Sequence, residues 1–229
     1  MTYKKAIQLV FFLQIICGIA SLSAGVTDTI RLNPVKPKKE YYQPLVLKLC
    51  PTAFLWGGIF PFTSEYRLSV EITSGRTQSE QISVSLLDKN IFLTAASSVT
   101  QSNFKANGWR LQYAHKFYLI RKTKFAPYGL YVGALASYAR AQVSLDLSSY
   151  YRNEYLIFSK FDVNGIVGIQ VGKFHRITLD AFVGLGYKKN KAFYHYTSNN
   201  IAPYDTKDMG DLYNTHLNGV FAVQVGYSL

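Results

Sequence analysis

The stretch from Thr215 to Leu229, THLNGVFAVQVGYSL, decides the fold. Leu217, Gly219, Phe221, Val223, Val225, Tyr227 and Leu229 fall on one parity. His216, Asn218, Val220, Ala222, Gln224, Gly226 and Ser228 fall on the other. Successive side chains of a strand point to opposite faces, so this is a β-strand with one apolar face and one mostly small or polar face.

Working back from it, the chain divides into seven further alternating segments: Leu45–Trp56, Phe62–Thr73, Gln78–Leu87, Gly108–Ile120, Tyr128–Leu145, Leu156–Val171 and Ile177–Tyr187. The second has the clearest pattern after the last. Tyr66, Leu68, Val70 and Ile72 oppose Glu65, Arg67, Ser69 and Glu71. In the first, Leu45, Leu47, Leu49, Ala53 and Leu55 are expected on one face. Val46, Lys48, Cys50 and Thr52 are expected on the other, with a bulge at Pro51. The fifth alternates poorly at its start and is expected to carry a bulge, its end placing Arg140, Gln142 and Ser144 on the inner parity.

The N-terminus carries the marks of an export signal. Lys4 and Lys5 precede an apolar run from Ala6 to Ile19, and small residues follow at Ala20, Ser21, Ser23 and Ala24. Residues 1–24 are therefore expected to be a cleaved signal peptide, cut after residue 23 or 24. Residues 25–44 hold Pro34, Pro37 and Pro44 and the basic run Lys36–Lys39, without an apolar period. They read as a periplasmic N-terminal segment before a barrel over 45–229. Past the signal, charges or turn residues interrupt every hydrophobic stretch, so no membrane-crossing helix is expected. Aromatic residues reach 15% and charged residues only 17%. That balance suits strands that show lipid one face and enclose polar groups behind the other. Only Cys50 remains after signal removal, so no internal disulfide can form.

These features together predict an all-β protein, an eight-stranded antiparallel up-and-down transmembrane β-barrel of the bacterial outer membrane. Loop lengths agree with an even strand count. The turns near 74–77, 121–127 and 172–176 are short and fall on the periplasmic side; the longest connections, 88–107 and 188–213, fall outside. Aromatic girdles are expected at both rims, from Trp56, Phe62, Trp109 and Tyr187 at the outer one and Phe117, Tyr128 and Tyr227 at the inner one. Trp56 and Tyr128 have the wrong parity for lipid, so each needs a local bulge.

The inward parity collects Lys48, Arg67, Arg110, Lys116, Arg140, Lys160 and Lys188, against Glu65, Glu71, Asp162 and Asp180. Unpaired charges in a narrow barrel are costly, so a salt-bridged plug is expected rather than a narrow pore. The histidines, His115, His175, His195 and His216, form no HExxH, and no Cys/His ligand spacing or GxSxG occurs. No cofactor and no metal are expected. His195-Tyr196-Thr197-Ser198 is one residue longer than the His-x-Ser pair of outer-membrane lipid A deacylases, which turns the serine to the other face of a strand. A lipid-modifying enzyme is therefore only the alternative reading. The long loops are the better place for binding: Phe92 in the first, and Lys189, Lys191, Phe193, Tyr194 and Tyr196 in the second. The formal charge of +12 for the full chain points to outer-membrane lipid and anionic lipopolysaccharide rather than nucleic acid. An extracellular protein or glycan is a further candidate partner, and a monomer is expected.

Three stretches carry a resemblance. Residues 48–72, KLCPTAFLWGGIFPFTSEYRLSVEI, resemble the opening of a family of uncharacterised small outer-membrane barrels, with the Glu65-Tyr66-Arg67 run after a Gly turn. Pro127–Ala139 and Ile177–Tyr187 are similar to that family's later Gly-rich strands. The likeness to the OmpA/OmpX class is architectural. The resemblance implies the barrel fold and no catalytic residue; a structural, envelope-maintenance or surface-binding role through the long loops is the expectation drawn from the chain as a whole.

Overall fold

A computed structural model describes residues 45–55, 63–90, 103–121, 127–146, 155–173, 176–195, 201–205 and 211–229. The expected export signal, the 25–44 segment, Trp56, Phe62, Phe92, Tyr196 and Ser198 lie outside the described residues.

The elements in chain order are β1 (Leu45–Leu49), α1 (Pro51–Leu55), β2 (Thr63–Thr73), β3 (Gln78–Lys89), β4 (Asn103–Arg121) and β5 (Gly129–Asp146). They continue with β6 (Tyr155–Lys173), β7 (Ile177–His195), β8 (Ile201–Tyr204), α2 (Asp211–Asn214) and β9 (Leu217–Ser228). All strand pairs are antiparallel, and the sheet closes on itself. Each strand from β1 to β7 pairs with the next, β7 pairs with β9, and β9 returns to β1. The sheet has nine strands where the sequence reading expects eight. The additional one is the four-residue β8, which pairs only with the last residues of β7, Ala192–His195. No described helix is long and apolar enough to cross a membrane, which says nothing of strands.

The first expected strand is corrected. Pairing of β1 ends at Leu49, and Pro51 opens α1. Proline has no N–H to give to a ladder but is well suited to the first turn of a helix. Ala53 N donates to Cys50 O at 3.2 Å. Thr52 Oγ1 accepts the backbone N–H of Val223 on β9 at 3.0 Å, so α1 satisfies an edge that β1 leaves. Ala53 is consequently buried and not on the outer face.

Two other differences follow from register. β5 is continuous, and the slip lies on β4, between Tyr118 and Ile120. Leu119 and Ile120 are both exposed there. Along β5, Tyr131, Leu135, Ser137, Ala139, Ala141 and Val143 are buried, and Tyr138, Arg140 and Gln142 are exposed. β7 continues to His195, so the first part of the expected 188–213 loop is strand.

The two faces have opposite chemistry. The outer face exposes Leu68 and Ile72 on β2, Val84 and Leu86 on β3, Leu111 on β4, Val167 on β6, Val183 and Leu185 on β7 and Phe221 on β9. The enclosed face holds Lys48, Glu65, Glu71, Lys116, Asp162 and Asp180, each no more than 1% exposed. A soluble domain has the reverse arrangement.

Candidate functional site

The enclosed side is built in layers. Nearest the short turns, Lys48 Nζ lies 2.6 Å from both Glu71 Oε2 and Asp180 Oδ2. Lys116 Nζ lies 2.6 Å from Asp180 Oδ2 and 3.3 Å from Glu71 Oε1. Tyr131 OH donates to Asp180 Oδ1 at 2.7 Å, and Tyr118 OH to Glu71 Oε1 at 3.1 Å. Gln170 Nε2 donates to Glu71 Oε2 at 3.0 Å, Ser79 Oγ to Glu71 Oε1 at 2.5 Å, and Gln81 Nε2 to Gln224 Oε1 at 3.1 Å. Every strand of the ring contributes one of these groups. Two ammonium groups face two carboxylates, so the layer is neutral. The ring of Tyr131 fits because Gly168 faces it: a Cβ there would lie 2.5 Å from that ring.

An apolar layer follows, with Ala114, Leu135, Ile166, Phe182 and Ala222. Beyond it Glu65 receives Arg67 Nε at 2.7 Å and Arg110 Nη1 at 3.3 Å. Asp162 receives Ser137 Oγ at 2.8 Å and Asn164 Nδ2 at 2.7 Å, with Arg110 Nη2 at 3.4 Å and Lys160 Nζ at 3.6 Å. A second apolar cluster, Leu87, Ala106, Ala139, Ala141, Val143, Phe158 and Ala192, closes the far end with Tyr204 and Tyr213 against it. Burial pushes the Tyr213 phenol of α2 well above its ordinary pKa. A cavity of about 620 Å³ lies between these layers. Arg67, Arg110, Lys160 and Lys188 line it beside apolar Leu135, Phe158, Phe182 and Ala222. Arg67, Arg110 and Lys160 share two carboxylates, Glu65 and Asp162.

Arg140 is the one member of the expected interior network that the structure places elsewhere. It is exposed on the outer face of β5, where it neighbours Trp109 and Ser159. Alanine and glycine occupy both faces of this strand, so little contrast marks its parity. A second correction concerns Tyr128. It leaves the expected inner girdle and turns toward the enclosed side, its hydroxyl 2.9 Å from Ser228 Oγ. Its ring covers Gly172, where a Cβ would lie 2.6 Å away.

Trp109, Tyr187 and Tyr227 are exposed on the outer face, and Phe117 is half-buried on the same parity. Trp109 meets Tyr138 at 5.5 Å between ring centroids. Tyr227 accepts a hydrogen bond from Arg176 at 2.7 Å. Of the expected loop residues, Lys189, Lys191 and Phe193 lie on the outer parity of β7, and Tyr194 on the inner. They form rows across three strands: Tyr138, Phe161 and Lys189, then Arg140, Ser159 and Lys191, then Gln142, Ile157 and Phe193. The rows border a groove of about 690 Å³. Sequence reasoning missed Arg140 as a member of this group, and the parity of Tyr138 was the signal that could have found it. His195 stacks on Tyr155 at 4.4 Å between centroids. Among the described residues, no group of three or more His, Cys, Asp or Glu could hold a metal ion.

No family model and no curated protein matches the chain. Among solved structures, a major outer membrane protein from Thermus thermophilus is similar in fold, with a TM-score of 0.44 and 8% sequence identity, over 81% of this chain and 97% of that one.

Proposed function

We propose that the chain is a small outer-membrane β-barrel, monomeric and plugged, with an envelope-structural and surface-binding role. One observation carries this reading: the ion-paired charges are enclosed, and leucine, valine or isoleucine is exposed on every strand of the ring except β5. Soluble monomers rarely expose contiguous apolar patches beyond a few hundred Å². On β7 the apolar outer parity runs from Ile177 to Tyr187. At about 3.3 Å per residue and a tilt of about 40°, that stretch rises roughly 25 Å, the height of a barrel's lipid-facing band. In this orientation the strand ends where β2 leads to β3 and β6 leads to β7 face the periplasm, and the strand ends where β5 leads to β6 and β7 leads to β8 face outside.

Against conduction stand the two ion-paired layers with an apolar layer between them. Planar-bilayer recordings are expected to give no steady conductance. Against lipid chemistry, the spacing from His195 to Ser198 is one residue longer than the His-x-Ser pair of outer-membrane lipid A deacylases. Replacing His195 and Ser198 with Ala is expected to leave the lipid A and phospholipid profiles unchanged. The test of the whole reading is gel mobility of the detergent-extracted envelope protein, unheated against boiled. A shift on boiling supports the barrel; no shift, with the protein in the soluble periplasmic fraction, overturns it.

A second reading rests on the cavity beside Arg67 and Arg110. Three cations sharing two carboxylates, against an apolar wall, suit an anionic amphiphile with one acyl chain, and the volume is in the range of small-molecule sites. Saturating dodecanoate should raise the urea midpoint of the folded protein in neutral detergent, and Arg67→Gln should abolish that rise.

A further inference from the structure

We propose that the outer groove across β5, β6 and β7 binds the phosphate of a phosphorylated glycolipid in the outer leaflet. The inference rests on the membrane-barrel reading above and adds a ligand and a place.

The rows of the register show how the face changes along the strands. Val132, Val167 and Val183 form one apolar row, and Ala136, Val163 and Tyr187 another. Next comes Tyr138, Phe161 and Lys189, and then Arg140, Ser159 and Lys191. Cations thus begin where the apolar band ends, at the end of the ring that carries the long connections. In the proposed orientation this is the level of the outer-leaflet headgroups.

The pairing state of these cations is the second observation. Inside the ring, Lys48, Lys116, Arg67, Arg110 and Lys160 each have a carboxylate within 3.6 Å. Arg140, Lys189 and Lys191 have no ion pair or side-chain hydrogen bond among the described residues, and the carboxylate that shares their parity in the described strands β5 to β7, Asp146, stands six residues beyond Arg140 on β5, outside the residues that line the groove. Three cations around one groove repel one another, and that repulsion weakens when an anion of more than one charge sits between them. A phosphate monoester fits this charge, since guanidinium offers a planar fork to its oxygens and each ammonium a point charge. Tyr138, Phe161 and Phe193 flank the cations and supply amphipathic or apolar surface for the sugar and upper acyl segments.

The experiment compares the full-length protein with a variant carrying Arg140→Gln, Lys189→Gln and Lys191→Gln, both purified in mild neutral detergent from Gram-negative outer membranes. Arg76→Gln with Arg176→Gln, which removes charge from the opposite end, is the control. Native mass spectrometry reads co-purified lipid, and binding is titrated with lipid A against its enzymatically dephosphorylated form. The wild type and control should carry phosphorylated glycolipid, and the triple variant should carry about tenfold less or none. Dephosphorylated lipid A should bind all three proteins equally weakly. Equal retention by wild type and triple variant overturns the proposal, as does selective retention of glycerophospholipid in place of glycolipid. Unheated gel mobility separates the failures. A triple variant that still shifts on boiling is folded, so its lipid result bears on the groove alone. A wild type that never shifts refutes the barrel reading itself. Should the triple variant not fold, Lys191→Gln alone is titrated in the same way, with a several-fold loss expected and no loss overturning the site.

Discussion

Asp180→Ala is the sharpest test of the paired interior. Asp180 Oδ2 lies 2.6 Å from both Lys48 Nζ and Lys116 Nζ, and its Oδ1 accepts Tyr131 OH at 2.7 Å. At an effective dielectric near 20, each contact at that distance is a gross attraction of about 6 kcal/mol, largely offset by the desolvation already suffered by each ion. Removing the carboxylate leaves two buried ammonium groups with Glu71 as their only carboxylate, and it orphans the Tyr131 hydroxyl. Breaking a buried pair from one side costs about 3–5 kcal/mol, and that is the expected loss. Urea unfolding in neutral detergent micelles, followed by tryptophan fluorescence and by the unheated gel band, measures it. Asp180→Ala with Lys116→Met restores one ammonium group to one carboxylate, and should recover about half of the loss. A single variant within about 1 kcal/mol of wild type, or a double variant whose costs simply add, would refute the claim that this layer acts as a neutral coupled unit.

Three further outcomes can be checked alongside it. Val183→Arg places a charge near the middle of the outer apolar band, where lipid exposure makes it cost about 2–4 kcal/mol; a water-exposed surface would tolerate it within about 0.5 kcal/mol, and urea midpoints separate the two. Gly168→Ala puts a Cβ against both the Tyr131 ring and the backbone oxygen of Ala181, so it should destabilise by about 1–3 kcal/mol through overpacking, and in a background already carrying Tyr131→Ala the same change should cost less but not nothing, because the Ala181 oxygen remains. Pro51→Ala gives back the N–H at the start of α1; the β1–β9 pairing should still end at Leu49, because Thr52 already satisfies Val223 N–H, and hydrogen exchange at Val223 should be unchanged.

Alternation was legible wherever one face was uniformly apolar. On β2, Tyr66, Leu68 and Ile72 oppose Glu65, Arg67 and Glu71 without exception, so the faces read directly from the residues. β9 and most of β7 read the same way. The charged residues on inward parity were legible too, although their partners were not. Lys48 and Asp180 are far apart in sequence, and only ring closure brings them to 2.6 Å. The apolar layer of Leu135, Ile166, Phe182 and Ala222 was invisible for a related reason. A reading that assigns polar residues to the enclosed side has no way to see that its gaps are filled by leucine and phenylalanine from opposite strands.

The misplaced outer cations share one physical origin, the height at which a residue sits. In the proposed membrane orientation, parity within the band separates lipid from interior, and an outward lysine would be expensive. Above the band the outer face would meet headgroups and water, so charge becomes permissible on the very parity that excludes it lower down. Lys189 and Lys191 continue the parity of Val183, Leu185 and Tyr187, and β7 runs on through them to His195. The chemical change at residue 188 resembles the end of a strand when it is the end of the apolar layer. Arg140 is the same case on β5. Its charge suggested the interior, yet Trp109 and Tyr138 beside it are exposed on the outer face. Parity must therefore be read together with distance along the strand. Reading it so turns three apparent exceptions into one cationic rim above an aromatic row, which is the arrangement that the groove proposal requires.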